Sequence, residues 1–105
     1  MAAESGAGQK GGGPSLVKVL WSAPAVRDVE AHVAYLADVN PLAARELAIT
    51  LFTMGDSLSA LPRRGRRGRI SGTRELVAAS PYVIVYQVGD DAVTILRVWH
   101  GKLLA

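Results

Sequence analysis

The spacing of apolar residues predicts two helices in the first half of the chain. In the first helix, apolar residues recur every three or four positions, at Val26, Val29, Val33 and Leu36. The second helix has the same repeat, carried by Leu47, Leu51, Met54, Leu58 and Leu61. Each repeat places its members on one face of a helix and leaves the charged residues on the others. Ser22 and Asn40 stand where N-caps are needed, and Pro62 is expected to end the second helix.

Short apolar stretches rich in β-branched and aromatic residues predict strands on either side of the helices. Leu16–Trp21 precedes the first helix and is too short to form a helix of its own. Three further strands follow the second helix, at Arg74–Ala79, Tyr82–Val88 and Ala92–Trp99. The strand Tyr82–Val88 is apolar on both faces, which is typical of a strand at the centre of a sheet.

The order of these elements predicts an α+β fold. Asn40-Pro41 leaves only a short turn between the helices, so they should form an antiparallel hairpin. We expect this hairpin to pack on one face of an antiparallel sheet that includes the N-terminal strand, in two layers. A chain of 105 residues has room for one core, so residues 15–105 are predicted to form a single domain. Residues 1–14 are glycine-rich and aperiodic, which predicts a disordered leader.

Composition excludes several kinds of functional site. The chain has no cysteine, and therefore neither a disulfide nor a thiolate ligand nor a cysteine nucleophile. His32 and His100 have no third ligand at a suitable spacing, so neither a metal nor any other cofactor is expected. The apolar runs are shorter than the roughly 18–20 residues of a membrane helix, and the N-terminus lacks the apolar core of a signal peptide. A cytoplasmic protein without a membrane partner is the expectation.

Positive charge is concentrated in the arginine segment, residues Arg63–Arg74. It contains no acid and six arginines: Arg63, Arg64, Arg66, Arg67, Arg69 and Arg74. The chain has a net charge of +3, so the residues outside the segment sum to −3. Guanidinium groups bind phosphates and carboxylates through paired hydrogen bonds, so the segment predicts an anionic partner. The arginines leave nucleic acid and an acidic protein segment both open, and a loop that is only solvated is the competing interpretation.

Two residues of the last predicted strand are further candidates for function. His100 ends the strand, where a histidine can act as a general acid or base near neutral pH. The sequence favours the alternative for His100, a residue that only hydrogen-bonds to the backbone at the sheet edge. Arg97 is expected on the same face as Val93 and Ile95. It is therefore either paired, with Glu75 as one candidate partner, or directed towards a binding partner.

Several motifs occur together as they do in a known family of proteins. They are GTREL at residues 72–76, PYVIVYQV at 81–88 and RVWHG at 97–101, preceded by a strand that ends in Trp21-Ser22. Over residues 17–101 the chain resembles the RelE/ParE superfamily of bacterial toxins. The resemblance implies a small α+β toxin of a type II toxin–antitoxin system, of the kind that inhibits growth and stabilises plasmids. Such a toxin is inactive in the heteromeric complex in which a cognate antitoxin wraps its surface.

The resemblance implies one of two mechanisms. RelE-like members cut mRNA in the ribosomal A site, whereas ParE-like members cut nothing and inhibit DNA gyrase. The central strand of RelE-like nucleases commonly reads YRLVY, with an arginine that serves the phosphate, and Val83 takes its place here. Those nucleases also tend to carry a tyrosine or histidine in a C-terminal tail, and this chain stops at Leu103-Leu104-Ala105.

The residues therefore favour a ParE-like gyrase inhibitor over an enzyme. In this interpretation the six arginines of the arginine segment, together with Arg97, bind the target or the antitoxin. The alternative is a ribosome-dependent mRNA endonuclease, whose candidate catalytic residues would be His100, Arg74 and Arg97. An arginine cannot act as a base near neutral pH, so His100 would have to work nearly alone. A relic that binds antitoxin and harms nothing is a third interpretation.

Overall fold

Two helices pack against one face of a five-stranded sheet in the part of the chain that the structure describes, residues 16–101. The structure is a computed structural model, and the predicted leader at residues 1–14 lies outside the described residues. The elements are β1 (Lys18–Trp21), α1 (Ala23–Ala37), α2 (Pro41–Asp56), β2 (Arg66–Arg67), β3 (Arg74–Ala79), β4 (Tyr82–Val88) and β5 (Ala92–His100). The predicted α+β class and helical hairpin are confirmed.

The strands follow the order β1-β5-β4-β3-β2 across the sheet. β4 lies in the middle, as its apolar faces predicted, and the pairs formed by β2, β3, β4 and β5 are antiparallel. β1 differs from the expected antiparallel arrangement, because it pairs with β5 in parallel, Val19 opposite Val93. Short turns set the direction of neighbouring strands, but β1 pairs with a strand at the far end of the chain. The helical hairpin and three strands lie between the two, so no single turn determines the direction of β1.

Both helices begin as the sequence predicts. The Ser22 hydroxyl accepts a hydrogen bond from the Ala25 N–H at 3.1 Å, and the Asn40 side chain accepts one from the Ala43 N–H at 3.1 Å. The end of α2 was predicted wrongly, because the helix ends at Asp56. A short 3₁₀ turn, Ser57–Ser59, follows it. Leu61 is consequently 58 % exposed and not part of the core. None of the helices within residues 16–101 is long and apolar enough to cross a membrane.

The core lies between the helical hairpin and the sheet. Its largest fully buried side chains are Val29, Leu51 and Leu58 from the helical side and Ile84, Tyr86, Val93, Ile95 and Val98 from β4 and β5. Gly55 lets the Trp21 indole pack directly on α2, since a Cβ at Gly55 would lie 2.3 Å from Trp21 Cζ2. The indole also donates a hydrogen bond to Asp56 at 3.1 Å, so β1 is tied to α2.

A bulge in β5 changes which of its residues face the core. The pairing with β4 shifts between Val85 opposite Arg97 and Tyr86 opposite Ile95, so Leu96 has no counterpart. Ile95 and Val98 are therefore both buried, and Arg97 between them is exposed. The prediction that Arg97 shares the face of Ile95 is wrong, because strict alternation does not survive an inserted residue.

Candidate functional site

The arginine segment is folded as a β-hairpin over much of its length. β2 pairs with β3, with Arg66 opposite Glu75 and Arg67 opposite Arg74. Gly68 N–H donates to the Thr73 carbonyl at 2.8 Å, and Thr73 N–H closes a turn by donating to the Ile70 carbonyl at 3.1 Å. Gly72 is the third residue of this turn and has a φ of +84°, a conformation that favours glycine. Gly72 therefore allows a defined turn in the segment.

Glu75 holds this hairpin together. Its carboxylate accepts hydrogen bonds from the Arg66 guanidinium at 3.1 and 3.3 Å and from the Arg69 backbone N–H at 3.1 Å. The Arg69 guanidinium completes the cluster, with Nε 3.7 Å from the same carboxylate. Glu75 is only 3 % exposed. Two of the six arginines are thus bound by the acid that directly follows the segment, which offsets one of their two charges.

The charge of Glu75 is stabilised by its hydrogen-bond donors. Burial alone would raise the pKa of Glu75, but the Arg69 backbone N–H and the guanidinium groups of Arg66 and Arg69 outweigh burial. The pKa of Glu75 is therefore lowered from its ordinary value. An ionised carboxylate at this position needs the two arginines, and the arginines in turn are held in place by it.

Arg74 is fixed by the backbone that leads into the hairpin. Its Nη1 donates to the Gly65 carbonyl at 2.7 Å and to the Arg63 carbonyl at 3.3 Å. The Gly65 N–H in turn donates to the hydroxyl of the buried Tyr86 at 2.9 Å. One nitrogen of Arg74 is therefore bound to the backbone, and these hydrogen bonds fix the position of the guanidinium group.

A cavity of about 440 Å³ opens on the face of the hairpin that carries Arg67 and Arg74. It is lined by Arg63, Arg67, Gly68, Ser71, Gly72, Thr73, Arg74 and Val88. Arg64 is not among these residues, and its Nη1 donates to the Ser57 hydroxyl at 2.9 Å. The arginines that the sequence presented as one patch are thus of three kinds: two on Glu75, one on Ser57 and three around the cavity. We call this cavity the arginine cavity.

Arg97 is separate from the arginine segment. Its guanidinium binds the Asp28 carboxylate of α1 through two hydrogen bonds of 2.7 and 2.9 Å, and Asp28 also accepts from the Val98 N–H at 2.9 Å. Burial would raise the pKa of Asp28, but these donors lower it, and the pKa of Arg97 is raised by the same pair. The suggested pairing of Arg97 with Glu75 is wrong. Arg97 instead fastens α1 to β5 at the edge that β1 leaves uncovered.

His100 lies on the helical side of the sheet in an aromatic cluster. The Tyr82 ring is 5.0 Å from the His32 ring and 5.2 Å from the His100 ring, measured between centroids. These residues line a cavity of about 400 Å³ together with Tyr35 and Leu36. His32 Nε2 donates to the Val98 carbonyl at 2.8 Å, whereas His100 Nδ1 is buried and has no hydrogen-bond partner within residues 16–101. No group of three or more metal-binding side chains occurs in the same range.

The three candidate catalytic residues of the nuclease interpretation do not meet. His100 stands opposite Tyr82 and Arg74 stands opposite Tyr86, four residues further along β4 and on its other side. With about 3.3 Å per residue and 4.8 Å between strands, their Cα atoms lie about 16 Å apart. Arg97 is engaged with Asp28. The three residues therefore do not form one catalytic site.

Val83 stands in an apolar region of the sheet. It is 5 % exposed, lies outside the core cluster beneath the helices, and has Val77 and Trp99 as its neighbours on the adjacent strands. Because side chains directly opposite each other share a face, these three residues form one apolar strip across β3, β4 and β5. The position at which RelE-like nucleases carry an arginine is therefore surrounded by apolar side chains.

Comparison with known families agrees with this fold. Residues 19–103 match the family described as ParE toxin of type II toxin–antitoxin system, parDE. Toxin RelE2 of Caulobacter vibrioides is 40 % identical over 89 residues, which cover 85 % of this chain and all of that toxin. The putative toxin Y4kP of Sinorhizobium fredii is 39 % identical over 85 residues, covering 80 % of this chain and 88 % of the relative. The chain belongs to the ParE toxin family of type II toxin–antitoxin systems.

Solved structures have the same architecture. A chain from a structure of the chromosomal ParDE toxin–antitoxin system from Pseudomonas aeruginosa superposes with a TM-score of 0.75 at 19 % identity, over 82 % of this chain and 97 % of that one. The toxin–antitoxin complex RelBE2 from Mycobacterium tuberculosis gives a TM-score of 0.57 at 28 % identity, over 81 % of this chain and 98 % of that one. The relatives thus carry both ParE and RelE names on one fold.

Proposed function

We propose that this toxin stops growth by binding DNA gyrase and inhibiting it, without cutting RNA, and that a cognate antitoxin neutralises it. The observation that carries the proposal is the separation of His100, Arg74 and Arg97. Each has a different local environment: an aromatic cavity, a pair of backbone carbonyls and the Asp28 carboxylate. A binding inhibitor needs no catalytic set, only a surface that its target recognises.

Cleavage of RNA by attack of the 2′-hydroxyl would need groups that this arrangement keeps apart. A base and an acid must reach the reacting oxygens within hydrogen-bond distance, and cationic donors must stand at the scissile phosphate. His100 is about 16 Å from Arg74 by the strand geometry, several times the reach of a hydrogen bond. The apolar strip around Val83 offers no cationic side chain to a phosphate. The described residues therefore support binding better than catalysis.

An antitoxin is the partner that the family and the charge both support. The similar ParDE and RelBE2 structures are described as a toxin–antitoxin system and a toxin–antitoxin complex. On this chain, the arginine cavity supplies positive charge that no acid of the hairpin neutralises. An acidic segment of the antitoxin would be held there by charge-assisted hydrogen bonds. We propose that the antitoxin and the target compete for this surface.

The mRNA endonuclease remains the second candidate, and one observation favours it. His100 has a buried ring nitrogen without a hydrogen-bond partner among the described residues, and a histidine in that state is available for proton transfer. The RelE names of the Caulobacter relatives point the same way. The two candidates differ in what stops first in the cell, DNA synthesis or protein synthesis.

Induction of the toxin in growing bacteria, followed by pulses of labelled thymidine and leucine, separates the two candidates. We expect thymidine incorporation to fall first while leucine incorporation continues, because gyrase inhibition stalls replication. We also expect His100→Ala to keep its full toxicity, with His32→Ala as a matched control from the same cavity. An immediate loss of leucine incorporation, abolished by His100→Ala in a variant with an unchanged melting temperature, would establish the endonuclease instead.

A further inference from the structure

The arginine cavity has a charge that the hairpin leaves uncompensated. Arg63, Arg67 and Arg74 line it, and its lining includes no acid. Glu75, the acid of the hairpin, is already engaged by Arg66 and Arg69, and it does not line the cavity. Asp90 and Asp91 in the following turn do not line it either. Three like charges around one cavity repel each other, so a bound anion would stabilise this arrangement.

The backbone register forces two of these arginines together. Arg67 and Arg74 are directly opposite each other in the antiparallel β2–β3 pair, which places their Cβ atoms about 5 Å apart. Like charges in such a cross-strand pair destabilise a sheet, and both residues lie on the side of the arginine cavity. An anion between them would turn this repulsion into two attractive contacts. The pair is thus arranged as a ligand site would be, and its charge repulsion lowers the stability of the free protein.

The cavity also presents hydrogen-bond donors in set positions. Arg74 uses Nη1 for the carbonyls of Gly65 and Arg63, so its remaining N–H groups are available at a fixed place. The turn adds the exposed hydroxyl of Ser71 to the lining. A planar guanidinium held in this way suits an anion with two oxygens in one plane. A carboxylate meets this requirement, as do two oxygens of a phosphate, so the choice between them depends on the rest of the lining.

The lining favours a protein ligand over nucleic acid. Proteins that hold single-stranded nucleic acid combine basic grooves with aromatic rings on which the bases stack. The arginine cavity has no aromatic residue in its lining, and its apolar contact is the aliphatic Val88. It is a single concave site and not a track along which several phosphates would lie. A side-chain carboxylate next to a short aliphatic chain matches both its charge and its apolar wall.

We propose that the arginine cavity is a carboxylate-binding site that receives an aspartate or glutamate side chain of an acidic protein segment. Arg67 and Arg74 bind the carboxylate between them, and Arg63 closes the site. Arg66 and Arg69 take no direct part, since they hold the hairpin through Glu75. This inference rests on the proposed function only in that the natural ligand is a protein partner.

The site can be tested with two anionic probes of similar charge. Purified toxin is titrated at 0.1 M salt with a fluorescein-labelled hexaglutamate peptide and with a fluorescein-labelled hexathymidylate, and anisotropy is recorded. For Arg67→Gln we expect the affinity for the peptide to fall about tenfold, the loss of one charge-assisted bidentate contact. Arg64→Gln is the matched control, because it removes the same charge from the same segment outside the cavity. It should change the affinity less than about twofold.

The melting temperature supplies an independent readout. Because Arg67 and Arg74 repel each other, Arg67→Gln should leave the free toxin as stable as the wild type or more stable. Equal losses of peptide affinity in Arg67→Gln and Arg64→Gln would mean only diffuse attraction and would overturn the proposal. Tighter binding of hexathymidylate, with the same dependence on Arg67, would assign the cavity to nucleic acid. Neither measurement involves gyrase, so a toxin that fails to inhibit gyrase leaves this test unaffected.

Discussion

Replacing Glu75 by alanine is expected to lower the free energy of unfolding by about 2–3 kcal/mol and to release the β2–β3 hairpin. The carboxylate is 3 % exposed and accepts hydrogen bonds from Arg66 and from the Arg69 backbone N–H. Its two arginine partners are 61 % and 53 % exposed in their side chains, so water would replace part of what they lose. We therefore expect less than the roughly 3–5 kcal/mol of a fully buried ion pair.

Urea unfolding followed by circular dichroism measures this loss, and hydrogen exchange at Gly68 shows whether the hairpin opens. Glu46→Ala is the control, since Glu46 is an exposed acid on α2 whose side chain makes no hydrogen bond in the described chain. Its effect should stay within about 0.5 kcal/mol. If Glu75→Ala behaved like Glu46→Ala, the hairpin would be held by its turn and by Tyr86, and not by the carboxylate.

Replacing Asp28 by alanine should cost about 2–3 kcal/mol as well, through a different contact. The Asp28 carboxylate on α1 accepts hydrogen bonds from two groups of β5, the Arg97 guanidinium and the Val98 N–H. Its removal leaves the Val98 N–H, at the edge not covered by β1, without that acceptor. Thermal unfolding at pH 7 measures the effect, with Glu30→Ala on the same helix as the control. A loss no larger than that of Glu30→Ala would contradict the role given to this ion pair.

The pH dependence of stability follows from the same two carboxylates. The pKa values of Asp28 and Glu75 are both lowered by folding, so the unfolded chain binds their protons more readily than the native toxin. Their contribution is complete above the ordinary carboxyl pKa of about 4. It is lost as the pH falls through the lower native values. Asp28→Asn should therefore flatten the fall in stability on the acid side while being less stable than the wild type at pH 7.

Local pattern was sufficient to predict most elements of the fold. Arg74–Ala79 and Tyr82–Val88 have the bounds that alternation and turn residues indicate, and Ser22 and Asn40 cap the helices as expected. These features depend on residues a few positions apart. The parallel pairing of β1 with β5 does not, since it joins Val19 to Val93. Only the assembled sheet determines that direction.

The candidate site was predicted less completely, because ion pairs depend on tertiary structure. Arg97 and Asp28 are 69 residues apart, and the bulge at Leu96 changes the face on which Arg97 would otherwise lie. The charge of the arginine segment was counted over Arg63–Arg74, which excludes the next residue, Glu75. Glu75 binds two of these arginines and so holds them within the hairpin. A buried acid in an apolar strand beside a basic segment was the available signal. It would have indicated which arginines are structural.

The division of the arginines changes which substitutions are informative. Replacing Arg66 removes a partner of Glu75 and disturbs the hairpin, so a loss of activity in that variant would have two explanations. Arg63 and Arg67 line the arginine cavity and have no ion pair among the described residues. Substitutions at these two positions report on binding with the least effect on the fold. The proposed target-binding surface is therefore best tested there.

Supercoiling of relaxed plasmid by purified gyrase tests the central claim most directly. We expect the toxin to block supercoiling at a stoichiometric excess and the cognate antitoxin to restore it. The Arg63→Ser/Arg67→Ser variant should lose about tenfold or more in potency with an unchanged melting temperature. Undisturbed supercoiling by the wild-type toxin, together with cuts at defined codons in mRNA on translating ribosomes, would contradict the account.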